Sequence, residues 1–408
     1  MVPALLAVIL SQPMRPQPSV DELVNLAWQQ ADKADAKTVS KTDVKAELQH
    51  QQDLKADVEL GAKYAIQVEK QSKLSTDTVM INRVQRVGAE IADLANQTHS
   101  IATWGDKRFN TFNYTFKVIE NDEPNAFSLP GGYVYVQTGL LKFIESDDEL
   151  AGVLAHEVSH AKFRHIATLQ KEESKMSAIT LPLILASILT GGGENAGAAI
   201  TGTQILSTAV GNGWSVKAEE AADYGGIQLM VKSHYNPTGM LTVMERLALV
   251  EDSQPQFSAH LGIFRDHPPS KERADSMQSY LKQYNIPVER SKVSISFRAI
   301  VKPDDKIAGA VDISFDGHNL VSFAGNDALT RADLAAAKLN TFIDSTPATF
   351  EVGTGLAGAV LGGNQALFQF QPEDATAQGK SIADLQKLAV LNIRGALYTV
   401  NIRIWETH

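Results

Sequence analysis

Between about Lys41 and Gln97 the apolar residues recur at helical spacing, first Leu60, Tyr64 and Val68, then Val84, Val87, Ile91 and Leu94, with no strand-like alternation. Two helices are expected there. From Phe112 to Val118 and from Tyr133 to Thr138 the chain turns to aromatic and β-branched residues that alternate in character, as strands do. Leu129-Pro130-Gly131-Gly132 supplies the turn before the second strand. Ser146-Asp147-Asp148-Glu149 then reads as a capping box, with a Ser oxygen covering the first free amides of a helix and a Glu at its third position reaching back. Leu150, Val153, Leu154, Val158 and Ala161 follow at helical spacing, and a further helix is expected over Trp214 to Lys232, closed by Asn236-Pro237.

Past Pro287 the pattern changes. Alternating runs at Val293 to Ile300, Gly309 to Phe315 and Ala366 to Phe370 interleave with helical runs near Arg331 to Ile343 and Ile382 to Ile393. These patterns predict an α+β chain: a mainly helical domain with a small sheet over residues 37–287, followed by a separate, smaller α+β domain over 288–408. No repeat of fixed period is visible, so a helical-repeat array is not expected.

Two apolar stretches bear on location. Val2 to Leu10, followed by Ser11-Gln12-Pro13, resembles the middle of a secretory signal without its basic start, and residues 1–36 are read as a signal-like segment and linker. Met176 to Gly193 carries no charge, but Pro182 and Gly191 to Gly193 interrupt it. A bilayer span takes ~20 apolar residues, so a buried or interfacial helix with peripheral membrane contact is the expectation.

Composition narrows the chemistry. The formal charge of −10 and the pI near 5.5 argue against nucleic acid, because neutralising phosphates takes clustered Lys and Arg. The absence of cysteine removes disulfides, thiolate metal sites and Cys nucleophiles, so any metal must be held by His and carboxylate.

The capped helix carries His156-Glu157-Val158-Ser159-His160. Residues four apart on a helix differ by about 40° in azimuth, so His156 and His160 can grip one ion. Glu157, about 100° round from His156, falls beside the metal, where a general base for the water that zinc activates belongs. A three-histidine site would need Gly at 163 and His at 166, where Phe163 and Ile166 stand. On a continuing helix His165 lies about 180° from His156 and reads as a histidine on a helix face. The third ligand must come from elsewhere, and Glu219 and Asp223, four apart on the later helix, offer one carboxylate to bind zinc and one to orient a ligating imidazole.

These residues, with Glu59-Leu60-Gly61, Asn125 through Gly132, Gly139-Leu140-Leu141 and His267-Pro268-Pro269, resemble the gluzincin peptidases of metallopeptidase family forty-eight, in particular its soluble, periplasmic BepA-type branch. The likeness runs from about Val58 to Arg273. It implies a helical zinc-peptidase fold, one zinc ion held by His156, His160 and Glu219 with Asp223 behind them, and endoproteolysis of unfolded, misassembled or membrane-proximal polypeptides in quality control. His267 resembles the family histidine that approaches the open metal position, as a transition-state donor or as a plug that keeps the enzyme latent. The chain departs from the family pattern at Val216 and Ala221, where an Arg and an acidic residue are usual, and the tetratricopeptide repeats of the BepA-type branch are not found in it.

The expectation is an exported, periplasmic or envelope-associated zinc endopeptidase, with Tyr133 to Thr138 as an exposed edge strand that docks substrate backbone. The competing expectation is a chaperone-like or assembly-scaffold protein with a latent or structural zinc. A purely structural site has no use for a base such as Glu157.

Overall fold

The computed structural model describes residues 41–172, 214–253, 271–401 and 404. Val2 to Leu10, Met176 to Gly193 and His267 lie outside the described residues. No helix among the described residues is long and apolar enough to cross a membrane.

Helices α1 (Lys41–Gln71) and α2 (Thr78–Gln97) occupy the region where two were expected. Asp77 caps α2, its Oδ1 accepting from the amides of Val79 and Met80, and Val87 and Ile91 are fully buried. Strands β1 (Thr115–Ile119), β2 (Ala126–Leu129) and β3 (Tyr133–Gln137) follow. β1 begins three residues later than its pattern suggests because Asn96 of α2 takes both the N–H and the C=O of Phe112. β2, too short to announce itself, pairs antiparallel with β3, and β1 pairs parallel with β3 on its other side. β3 is therefore the central strand of the order β1-β3-β2. Both rows of its backbone groups are taken, and the expectation that Tyr133 to Thr138 is an open edge for substrate is overturned.

Helices α3 (Thr138–Phe143), α4 (Asp147–Lys162), α5 (His165–Glu172), α6 (Trp214–Met230), α7 (Thr238–Ser253) and α8 (Lys271–Gln283) complete the first region. One apolar cluster joins α2, β3, α4, α6, α7 and α8 through residues such as Ile91, Val134, Leu154, Ile227, Leu241 and Leu281. Leu150, Val153, Leu154 and Val158 of α4 lie in this cluster as the sequence pattern named them, joined by Ala151 and Ala155, while Ala161, also named, is buried outside it.

After α9 (Arg290–Val293) the chain forms β4 (Ile300–Pro303), β5 (Val311–Phe315), β6 (His318–Phe323) and α10 (Ala328–Asp344). The plan then recurs with β7 (Val352–Thr354), β8 (Ala359–Gly362), β9 (Gln365–Gln369), α11 (Pro372–Gln378) and α12 (Ile382–Asn401). Each strand triplet is an antiparallel meander. A second apolar cluster, including Phe315, Phe323, Leu339, Phe368 and Ile393, covers this region. Of the alternating run Val293 to Ile300 only Ile300 enters a strand, β4: Val293 ends α9, and Glu145 gathers the hydroxyls of Ser294 and Ser296 and the amide of Ser296, fixing the segment after it as a loop.

The two regions are joined by buried charge. Arg290 donates to both carboxylate oxygens of Glu245 at 2.7 and 2.6 Å, and Ser291 donates its N–H and O–H to Asp344.

A separate ionic cluster ties α1 to the end of α4. Arg164 donates to Asp57 and, through Nη1, to Asp106 at 2.8 Å, while Arg108 donates to Asp106 and Asp53. Burial pushes the Asp106 carboxyl upward, but Arg108 and Arg164 outweigh it and hold Asp106 well below the usual carboxylate range. A depressed folded value means stabilisation that is complete above the ordinary Asp value of about 3.9 and is lost as pH falls below it. The gap in Tm between wild type and Asp106→Asn should accordingly be widest near neutral pH and narrow below about pH 4. A gap that stays constant in a pH series of thermal melts would show that Asp106 acts here through shape rather than charge.

Candidate metal centre

α4 is placed at both ends and along its length. Ser146 caps it, its Oγ accepting from the Glu149 amide at 3.1 Å. Glu149 reaches back as the capping box implies, but to the amide of Glu145, one residue before the cap, and it also accepts from Arg246 at 2.7 Å. Arg83 and Arg86 of α2 hold Asp147 in the first turn, and Asp148 accepts from the Asn236 amide that opens α7. Where α6 crosses α4 the contact is made by Gly225 and Gly226. A Cβ on Gly225 would lie 2.5 Å from the Phe163 ring and 2.8 Å from Ser159 Oγ, so only glycine lets the two backbones come this close. That approach sets Glu219 and Asp223 against the histidines.

His156 Nε2 stands 3.0 Å from His160 Nε2 and 3.3 Å from Glu219 Oε2, and His160 Nε2 stands 3.3 Å from Glu219 Oε1. An ion ~2.0–2.1 Å from each donor in tetrahedral geometry separates its donors by about 3.3 Å. The triangle of His156, His160 and Glu219 has that size, and these three form the one His/Asp/Glu group among the described residues whose donor atoms all lie within 4.8 Å of one another. Two imidazoles and one carboxylate are a donor set suited to zinc with a position left open.

Asp223 lies behind this triangle. Its Oδ1 accepts from His156 Nδ1 at 2.9 Å, which leaves the Nε2 lone pair of His156 facing Glu219 and His160. Arg273, on α8, donates Nε and Nη2 to the two Asp223 oxygens at 2.8 Å each, and Nη2 comes within 3.2 Å of Glu219. Burial disfavours charge on the His156 imidazole, while the carboxylates of Asp223 and Glu219 beside it favour it. For Asp223 burial pulls the other way, and Arg273 with His156 keeps the carboxyl below its ordinary value. Burial lowers His160 despite the neighbouring Glu219.

Glu157 is 2% exposed. With His156, Asp223 and Arg273 it lines a cavity of 60 Å³ walled otherwise by apolar side chains such as Val153, Met240, Met244 and Met277. The geometry offers a carboxylate beside the donor triangle and outside it.

The sequence reading missed two residues. Arg273 takes the place next to Asp223 and Glu219 that the departures at Val216 and Ala221 had put in question. Val216 is exposed, and Ala221 is buried against Phe163 and Ala102. His165 does not lie on a continuing α4, as the helical azimuth assumed, but opens α5. α4 ends at Lys162, Arg164 adopts a left-handed conformation with φ of 53°, and His165 turns back so that its Nδ1 lies 2.9 Å from His160 Nδ1. It is 2% exposed.

With this geometry in view, comparison with known proteins is specific. Residues 82–281 match the family model described as Peptidase family M48. The chain is 30% identical over 224 residues to the beta-barrel assembly-enhancing protease of Escherichia coli K12, covering 54% of this chain and 43% of that protein. It is 32% identical over 174 residues to the mitochondrial metalloendopeptidase OMA1 of Schizosaccharomyces pombe, covering 43% of this chain and 48% of that one. To the metalloprotease LoiP of Escherichia coli K12 it is 24% identical over 195 residues, covering 48% of this chain and 73% of that one. The matches thus span less than half the length of the first two relatives. All three α4 residues, Glu219, Asp223 and Arg273 fall inside the matched segment, and residues 82–281 of this chain are a domain of peptidase family M48.

Proposed function

We propose that this protein is a zinc-dependent endopeptidase of the cell envelope that hydrolyses peptide bonds in unfolded or misassembled polypeptides, with His156, His160 and Glu219 as the zinc ligands. The observation that carries the reading is the donor triangle, with edges of 3.0, 3.3 and 3.3 Å, backed by Asp223 and placed beside Glu157. When bound, zinc supplies Lewis acidity, which makes a water acidic near neutral pH and polarises a carbonyl.

The protein's own groups do the rest. Asp223 fixes the tautomer and direction of His156. Arg273 keeps Asp223 ionised and turned toward that imidazole. Glu157 takes a proton from the attacking water and returns it to the departing amine. The cavity at Glu157 is walled mostly by apolar side chains, and the carboxylate beside it is 2% exposed.

In this reading residues 37–287 form the peptidase domain and 288–408 a platform for substrate or partner. The apolar Val2 to Leu10 supports export, and the names of the relatives, one an assembly-enhancing protease and one a mitochondrial metalloendopeptidase, support a role in protein quality control. The test is metal content measured with casein cleavage. Wild type should carry one equivalent of zinc and cleave, and chelation should abolish cleavage until zinc is returned. Glu219→Ala should lose most of its zinc and its activity together, and purified protein that holds no zinc under any condition would end the reading.

A further inference from the structure

We propose that His165 is the positioning residue for His160: its Nδ1 accepts a hydrogen bond from His160 Nδ1–H and holds the His160 Nε2 lone pair on the metal position. It does for His160 what Asp223 does for His156. The inference rests on the metal-binding reading above and assigns a role that the donor triangle alone does not contain.

Facing Nδ1 atoms 2.9 Å apart can share one proton only. If His165 supplied it, neutral His160 would carry its own proton on Nε2, and that atom would have no lone pair for an ion. Metal binding therefore selects the arrangement in which His160 donates and His165 accepts. His165 then bears its proton on Nε2, a buried atom with no hydrogen-bond partner among the described residues.

The surroundings of His165 are built to hold its ring in this pose. Arg164 can stay left-handed, a conformation that costs a non-glycine residue about 1 kcal/mol or more, because Asp57 and Asp106 clamp its guanidinium. That reversal is what turns His165 back toward the end of α4. Gly105, at φ of 96°, brings the loop before it against the same turn. A Cβ there would sit 2.5 Å from Phe163 O and 2.8 Å from His165 Cδ2. The Trp104 and Phe163 rings, with centroids 5.2 and 5.8 Å from the His165 ring, close the pocket. The two ligand imidazoles are thus backed differently, one by a carboxylate and one by a second imidazole.

The test uses the full-length protein with His165→Phe and His165→Asn. Phe keeps a ring against Trp104 and Phe163 and removes the acceptor, whereas the Asn side-chain oxygen can accept from His160. Zinc affinity is read by competition with a chromophoric chelator, the visible spectrum of the cobalt-substituted protein reports ligand geometry, and the Tm of the metal-free protein reports packing. The expected result is a zinc affinity 10–100-fold weaker in His165→Phe, with an altered cobalt spectrum, and recovery of most of the loss in His165→Asn. Wild-type affinity in His165→Phe would overturn the proposal, as would equal weakness in both variants accompanied by equal losses of metal-free Tm. A wild-type protein without zinc affinity would instead strike at the metal site itself.

Discussion

Glu157→Gln should cleave casein about 10²–10⁴-fold more slowly than wild type while retaining its full equivalent of zinc. Gln has the size of Glu and occupies the same buried position beside His156, but it cannot accept a proton. The donor triangle does not include Glu157, so the substitution removes no donor atom. Zinc content and kcat are the two quantities to measure on one preparation. Zinc lost along with activity would make Glu157 part of the binding site, and undiminished kcat would remove it as the base. A protein whose zinc served only to hold structure would keep its zinc and have no cleavage for the substitution to slow.

Arg273→Met should produce the largest loss of stability. Arg273 is buried and is the cation that meets both oxygens of Asp223 and one of Glu219. Removing one member of a buried ion pair costs about 3–5 kcal/mol, because the remaining charge stays desolvated without its partner. For a region of this size each kcal/mol lowers Tm by about 2–4 °C, so the metal-free variant should melt roughly 6–20 °C below wild type. Saturating zinc should close part of that gap, since a dication beside Glu219 replaces some of the lost positive charge. Thermal melts with and without zinc check both statements. A loss under about 1 kcal/mol, the scale of a solvated surface pair, would mean that Asp223 is hydrated in solution.

Much of the site could be read from local pattern, since a capping box, an apolar stripe and residues at i, i+1 and i+4 are properties of one helix. Glu219 and Asp223 were visible for the same reason. What escaped depends on distant packing. Arg273 has no marker of its own, because its role exists only where α8 lands against α6, fifty residues away from Asp223. The central place of β3 was hidden because strand order is not a property of the strand, and the neighbour that closes its second side has only four residues. His165 was misplaced because helical azimuth was carried through Arg164. The cause of the break there is a clamp to Asp57, 107 positions earlier, and to Asp106, 58 positions earlier.

The C-terminal architecture was less legible than the peptidase domain. Short strands such as β7, with three residues, fall below what alternation can signal, and serines that looked like strand residues were bound to Glu145. Helices α10 and α12, longer and with one buried face, were found near their positions and extended further than the pattern showed.

α7 belongs to both halves of the molecule. Met240, Val243, Met244 and Leu247 pack into the first core and all four wall the cavity at Glu157, while Ala248, the next residue, lies in the second core. Glu245, on the same stretch of helix, is pinned to Arg290. Residues of the two cores thus occupy consecutive positions of one helix, and a displacement of α7 from the second core would carry the wall of the cavity at Glu157 with it.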